Sequence, residues 1–393
     1  MKFIEILFWF SIIIVFYTYL GYGILLYFLV KIKEFFNNPK KELLPEVLPE
    51  VTLFVTAYNE ESVVKEKMHN CLTLDYPQNK LKIVWVTDGS NDRTNEILKT
   101  YQTVTVLFQP ERQGKTAAIN RGIEFTTSPI IIFTDANTMI NREAIHEIIR
   151  EFMNSKVGCV AGEKRIVSKE KDGAVGGGEG IYWKYESILK ALDSRLYSAV
   201  GAAGELFAIR RELFETMEED TLLDDFILSL KIAKRGFKIA YCDKAYAIES
   251  ASANMKEEEK RKVRIAAGGL QSIWRLRSLL NIFQYRMLSF QYISHRVLRW
   301  SVTPIFLFLI FPLNIYLIFV NTSRIYVNSL IIQGIIYFMG LLGFYLSSKQ
   351  IKNKILYIPY YFIFMNINTF KGAFYLKNKK GNAVWEKVKR SNN

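Results

Sequence analysis

Hydrophobic and polar positions divide the chain into three regimes. Residues 6–30 carry no charge, a run long enough to cross a bilayer with some tilt. It exceeds the apolar core of a signal peptide and has no small-residue cleavage site, so it is expected to be retained. From Val51 onward, short apolar runs alternate with segments of helical period. Residues 51–57, 81–86, 104–108 and 130–133 read as strands, and 60–72, 92–98 and 115–125 as the helices that follow the first three. The unbroken run Ile130-Ile131-Ile132-Phe133 suits a strand buried on both faces, as in a parallel sheet. A helix over 141–153, a strand over 157–160, a glycine-rich mobile loop over 173–180 and a helix over 179–195 continue the pattern. Trp183, Ile188 and Leu192 fall on or near one face of that last helix. A further helix, 223–235, stops at Gly236, as helices commonly do. Repeated βα units of this length predict an α/β domain around a mostly parallel, Rossmann-like sheet with right-handed crossovers.

The third regime returns to the membrane. Residues 256–264 are charged and helical, and 283–300 mix aromatics with Arg286, Arg296 and Arg299, the make-up of a helix at the bilayer interface. Residues 301–320 and 326–346 are apolar enough to span. Lys31, Lys33, Lys40 and Lys41 follow the first span, and Lys349, Lys352 and Lys354 follow the last of these. The positive-inside tendency then places the α/β domain in the cytoplasm. Residues 355–370 hold Pro359, Asn366 and Asn368. If they span, the lysine-rich tail lies outside, against the charge rule; a re-entrant or interfacial segment removes the conflict. The layout is a membrane helix and linker over 1–50, the α/β domain over 51–255, interfacial helices over 256–300, a membrane region over 301–376 and a basic tail over 377–393.

Charge and rare residues narrow the chemistry. A net charge of +14 over 393 residues favours anionic partners. The basic residues cluster beside membrane segments and no nucleic-acid-binding module is visible, which argues against nucleic acid. Cys71, Cys159 and Cys242 are far apart, without metal-ligand spacing, and read as buried reduced thiols.

The candidate chemistry lies at strand tips. The four strands end in Thr56-Ala57-Tyr58-Asn59-Glu60, in Thr87-Asp88-Gly89-Ser90, before Arg112-Gln113-Gly114-Lys115-Thr116, and in Asp135-Ala136-Asn137. A parallel sheet sets such tips along one edge, where ligands bind. Asp135 and Asn137, two residues apart, can face one site. Their oxygens suit Mg²⁺ or Mn²⁺ shared with a phosphate; the same residues also suit a strand-ending turn. Gly114-Lys115-Thr116 is not an ATP-binding P-loop, because Gln109 stands where that motif needs glycine.

Together these motifs resemble family 2 glycosyltransferases of the GT-A fold, in the membrane-bound branch similar to cellulose and hyaluronan synthases. The resemblance covers residues 51–300. It implies that Tyr58 and Glu60 border a nucleotide pocket, that Asp88 contacts uridine, that Lys115 lies beside the nucleotide and that Asp135 opens the metal-binding D-x-D motif, with Asn137 in place of its second Asp. Gly204, in Gly201-Ala202-Ala203-Gly204, would line the sugar and acceptor site, or form a turn entering a strand. Leu223-Asp224-Asp225 sits where the family has Thr-Glu-Asp, making Asp225 the general base, with Asp224 positioning it or the acceptor. The same pair would suit an acidic helix start. His295-Arg296-Val297-Leu298-Arg299-Trp300 resembles Gln-x-x-Arg-Trp, with Arg296 in the Gln position. Arg299 would then reach a diphosphate and Trp300 an acceptor sugar, or both would belong to an interfacial helix. The implied activity moves a sugar from a nucleoside diphosphate, most simply UDP, to a growing polysaccharide or lipid-linked acceptor with a β-linked product, using Mg²⁺ or Mn²⁺, with export or assembly subunits as further partners. Two alternatives stay open: single transfer to a polyprenyl phosphate or other lipid, and a catalytically silent nucleotide-sugar-binding subunit.

Overall fold

The computed structural model describes residues 2–37, 43–167, 173–349, 351 and 353–378. Lys40, Lys41, Lys352 and the tail lysines beyond 378 lie outside the described residues. The chain opens with one helix, Lys2–Phe36, of 35 residues. It comprises α1 (Lys2–Phe16), a π turn (Tyr17–Gly21) and α2 (Tyr22–Phe36). At 1.5 Å per residue it is roughly 50 Å long, well beyond the ~30 Å of a hydrocarbon core.

The soluble domain follows as β1 (Val51–Ala57), α3 (Val64–Leu72), β2 (Leu81–Asp88), α4 (Thr94–Lys99), β3 (Val104–Gln109), α5 (Lys115–Ile123), β4 (Ile130–Asp135), β5 (Met139–Ile140), α6 (Ala144–Phe152), β6 (Val157–Val167), α7 (Gly173–Leu196), β7 (Leu206–Arg210), α8 (Asp224–Lys234) and β8 (Lys238–Ser250). Then come α9 (Met255–Arg275), α10 (Ile282–Tyr285), α11 (Met287–Tyr292), α12 (Leu298–Trp300), α13 (Val302–Val320), α14 (Arg324–Ser348) and α15 (Lys354–Asn378).

The sheet order is β3-β2-β1-β4-β7-β6-β8-β5. Alternation builds its two faces. Leu53, Val55, Ile130 and Ile132 face one apolar cluster, and Phe54, Ile131 and Phe133 face the other. Successive strand residues point to opposite sides, so an unbroken apolar run fills both. The first four strands are parallel, as expected. β7 enters antiparallel between β4 and β6, so the sheet is mixed in its second half. That reversal matters for the site: it brings the start of β7 beside the end of β4, with Thr134 opposite Leu206.

Three helices are long and apolar enough to cross a membrane by length and composition among the described residues: Lys2–Phe36, Val302–Val320 and Arg324–Ser348. The N-terminal one is shared between two environments. α1 packs Phe8 with Ile310 and Leu317 of α13, whereas α2 packs Tyr22, Leu26 and Val30 against Leu189, Leu192 and Leu196 of α7.

Several expectations are corrected. Residues 173–180 are the first turns of α7, not a loop; glycine lowers helix propensity by about 1 kcal/mol per residue but does not forbid the conformation. Ile188 is 58% exposed, and Leu189 takes its place on the packed face. The first domain helix starts at Val64 rather than near Glu60, because Asn59 adopts φ +52° and a turn follows. Residues 355–370 lie within one helix, α15, which is not among the three candidate spans. Its Gly372 sits against Ala266 of α9, and Gly343 of α14 against the Leu356 backbone of α15. A Cβ would collide at either glycine, so small residues permit the close approach. The 283–300 segment is not one helix. Arg286 at φ +47° breaks it between α10 and α11, and Arg296 and Arg299 are buried.

Candidate functional site

Parallel register aligns the tips of the first four strands. Thr56 pairs with Asp135, Ala57 with Thr87 and Asp88 with Gln109. Beyond them opens a cavity of about 970 Å³, and all twelve candidate residues named above line it.

The nucleotide side of this edge is cross-braced. Ser90 Oγ accepts from the Asn59 amide at 3.1 Å and Thr94 Oγ1 from the Glu60 amide at 2.8 Å. The Arg112 guanidinium lies 3.7 Å from the Tyr58 ring centre. Asp88 is buried, and its Oδ2 accepts from the Gln113 and Gly114 amides at 3.0 and 2.7 Å. One of its oxygens therefore shapes the loop ahead of α5. Its other oxygen, Oδ1, has no hydrogen-bond partner and lies 3.7 Å from Arg121 Nη1.

Lys115, the first residue of α5, ties the site together. Its Nζ donates to Asp135 Oδ1 at 2.7 Å and lies 3.6 Å from Asp224 Oδ2. These carboxylates hold the ammonium well above the ordinary lysine range, against the opposing effect of burial. Burial pushes the Asp135 carboxyl up, Lys115 pulls it back, and Glu205 adds to the rise. Asp224 and Asp225 open α8, where the Phe226 amide donates to Asp225 Oδ1 at 2.8 Å. Burial, then the neighbouring Asp224 charge, raise Asp225 to about 7, with Lys115 opposing. A methyl group at Gly204 would lie 3.1 Å from Lys115 Nζ and 3.5 Å from Asp225 Oδ2, so glycine keeps this gap open. Asp135 and Asp225 therefore line one cleft, together with Lys115.

The last candidate motif is placed differently from a free diphosphate clamp. Arg299 Nη1 donates to Glu186 Oε2 at 2.9 Å, Arg296 pairs with the same carboxylate, and His295 Nε2 lies 3.3 Å from its Oε1. Glu186 belongs to α7. Both arginines reach the cavity wall but already hold a buried partner. Trp300 packs edge-on against Phe226, with centroids 5.1 Å apart.

Other residues at the site carried no sequence signal. Buried Lys67 of α3 donates to Thr134 Oγ1 at 2.9 Å and to the Thr138 carbonyl at 2.6 Å, fixing the Asp135-Ala136-Asn137 turn from beneath. Lys164 of β6 pairs with Glu205 and Glu249. Trp183 and Lys190 of α7 line the cavity too. The pairing of β1 with β4 brings Lys67 to the turn, and β6, β7 and α7 bring in the others.

No group of three or more His, Cys, Asp or Glu side chains arranged for a metal occurs among the described residues. Asp135 and Asn137 offer one carboxylate and one amide oxygen on the cavity wall. That fits a hard cation that keeps waters and takes its remaining oxygens from a substrate phosphate.

Residues 52–217 match the model described as glycosyl transferase family 2. The chain is 26% identical over 254 residues to the probable glycosyltransferase YdaM of Bacillus subtilis, covering 59% of this chain and 58% of that protein. It is 26% identical over 285 residues to the poly-beta-1,6-N-acetyl-D-glucosamine synthase of Staphylococcus aureus, covering 70% of this chain and 67% of that one. The chain thus spans between about half and two thirds of these relatives. A solved mannosyltransferase, PcManGT from Pyrobaculum calidifontis in complex with GDP-Man and Mn²⁺, superposes with a TM-score of 0.72 at 19% identity, covering 95% of this chain and 100% of that chain. This likeness shows the GT-A-like fold.

Proposed function

We propose that this chain, whose residues 52–217 match the glycosyl transferase family 2 model, is a membrane-embedded inverting glycosyltransferase of that family. It takes a nucleoside diphosphate sugar, a UDP-sugar on our reading, and transfers the sugar to a hydroxyl of a glycan or lipid-linked acceptor. The reading rests on one observation above all: Asp135 and Asp225 line the same cleft, where Lys115 pairs with Asp135 and with Asp224, the neighbour of Asp225.

In the reaction, Asp225 accepts the acceptor hydroxyl proton as that oxygen forms its bond to the anomeric carbon. The bond from that carbon to the diphosphate oxygen breaks, and its electron pair leaves with the nucleotide. Attack opposite the leaving group turns an α-linked donor into a β-linked product. An acid near 7 suits this task, because about half of it is ionised at neutral pH and its base form is strong enough to hold the proton. Lys115 neutralises charge beside the diphosphate. Asp135 and Asn137 would hold Mg²⁺ or Mn²⁺, which would supply further neutralisation of the leaving group. Lys67 and the Glu205–Lys164–Glu249 cluster keep the strand ends rigid around it.

The test uses purified protein in lipid with a panel of nucleotide sugars, reading nucleotide release and product mass. Asp225→Asn should remove turnover. If it leaves turnover within about tenfold, about 1.4 kcal/mol in barrier, Asp225 is not the base. Absence of nucleotide release from every donor would leave only the silent-subunit alternative.

A further inference from the structure

The two acids that open α8 follow an irregular stretch. Residues 214–223 belong to no helix or strand, so no regular ladder of hydrogen bonds sets their path. Two helices hold the last part of it. On one side Thr116 Oγ1 of α5 donates to the Thr221 carbonyl at 3.1 Å, and Thr116 is the neighbour of Lys115. On the other side α9 grips residues 220–222. Gln271 Nε2 donates to the Asp220 carbonyl at 2.9 Å, and Gln271 Oε1 accepts from the Leu222 amide at 3.0 Å. Arg275 donates to Asp220 Oδ1 at 2.5 Å and to Thr221 Oγ1 at 2.8 Å.

A primary amide carries donors and an acceptor, so Gln271 binds the backbone on both sides of Thr221 at once. An ionised glutamate in its place could only accept, and an apolar side chain could do neither. Gly268, one turn earlier on α9, presses on the next residues. A Cβ there would lie 2.5 Å from Leu223 Cγ and 3.0 Å from Leu222 Cβ. The helix thus closes on the segment that leads directly into Asp224 and Asp225. Gln271, Arg275 and Gly268 are not among the residues lining the cavity, so they act on the acids through the chain. Reacting groups tolerate little displacement: an error of about 1 Å can cost about 10²-fold in rate.

We infer that Gln271 is a positioning residue for the reaction: its paired hydrogen bonds to Asp220 and Leu222 hold the loop that sets where Asp225 stands. The inference rests on the transferase reading with Asp225 as base, and adds the residue that keeps the base in place. Gln271 touches no reacting atom. The nucleotide side is built separately, from Lys115 of α5 and Asp135 of β4. The brace therefore acts on turnover and leaves donor binding alone.

The experiment uses the full chain in lipid. Nucleotide release from UDP-N-acetylglucosamine, UDP-glucose and GDP-mannose gives kcat and donor KM, and calorimetric titration with UDP plus Mn²⁺ gives binding. Gln271→Met, close in length but without either hydrogen bond, should lower kcat by about 10–100-fold. Its donor KM and UDP affinity should stay within about twofold, which also shows that it folds. Gln271→Glu keeps only the acceptor for Leu222 and should lower kcat in the same sense. Gly268→Ala removes no hydrogen bond but pushes on Leu222 and Leu223, and should give the same split between kcat and KM. An unchanged kcat in Gln271→Met would overturn the inference, because the loop would then need no brace. A parallel fall of kcat and UDP affinity in all three variants would also overturn it, since α9 would then support the whole domain. A wild-type protein that binds UDP and Mn²⁺ yet releases nucleotide from no donor would instead sink the transferase reading.

Discussion

Lys115 Nζ sits 2.7 Å from Asp135 Oδ1, so the ammonium of one strand-tip loop neutralises the carboxylate that ends the next strand. In this state the lysine serves Asp135 as its counter-ion. A diphosphate and its cation entering the cleft would share both groups. Two substitutions separate their contributions. Asp135→Ala should abolish the part of UDP binding that depends on Mn²⁺. Lys115→Met should weaken UDP by about tenfold or more, the scale of a lost charge-assisted hydrogen bond, with or without metal. Calorimetric titration with and without Mn²⁺ tests both, and an unchanged metal increment in Asp135→Ala would remove Asp135 from the cation site.

Asp225 gives the pH dependence. As a base it works ionised, so kcat/KM should rise with pH up to about 7 and then level. Stability runs the other way. The folded pKa lies above the unfolded value, so the folded state binds more protons between these values and loses stability as pH rises through that window. Asp225→Asn should therefore stabilise the protein more at pH 8 than at pH 5, by roughly 1–3 kcal/mol, while turnover is lost. Thermal unfolding at the two pH values reads this, and a gain larger at pH 5 would contradict the assigned shift.

Trp300 occupies its place because residue 269 has no side chain. A Cβ at Gly269 would lie 2.5 Å from the indole. Gly269→Ala should displace the ring from the cavity wall. UDP affinity should stay within twofold or so, below about 0.5 kcal/mol, while sugar transfer falls. Equal loss of both would mean that Trp300 supports the whole site rather than its acceptor side.

Glu186 holds three basic side chains, His295, Arg296 and Arg299. Glu186→Gln would leave buried cations without their carboxylate, at a cost of about 3–5 kcal/mol. The melting temperature in detergent should fall sharply, more than for Glu50→Gln, whose partner Lys82 is half exposed. A small effect would show that water or lipid groups balance the arginines.

Much of the fold was legible along the chain. The apolar runs at 51–57, 81–86 and 130–133 are strands because burial on both faces leaves little other use for them, and 104–108 is the partly exposed edge strand beside them. The same periodicity located the tips and hence Tyr58, Asp88, Lys115 and Asp135. These residues reach the cavity through local register, and register follows from sequence. The long apolar segments likewise announced themselves by length.

What the sequence alone determined is therefore the set of elements and the chemistry at their ends. Tertiary structure alone decided the partners. β7 had to enter antiparallel before Glu205 could stand beside Asp135, and α7 had to pack on the N-terminal helix before Lys190 and Trp183 could face the cleft. It also decided that Arg296 and Arg299 would bind Glu186. Charge pairing depends on distances of a few ångströms between residues about a hundred positions apart, and no periodicity along a chain encodes such a distance.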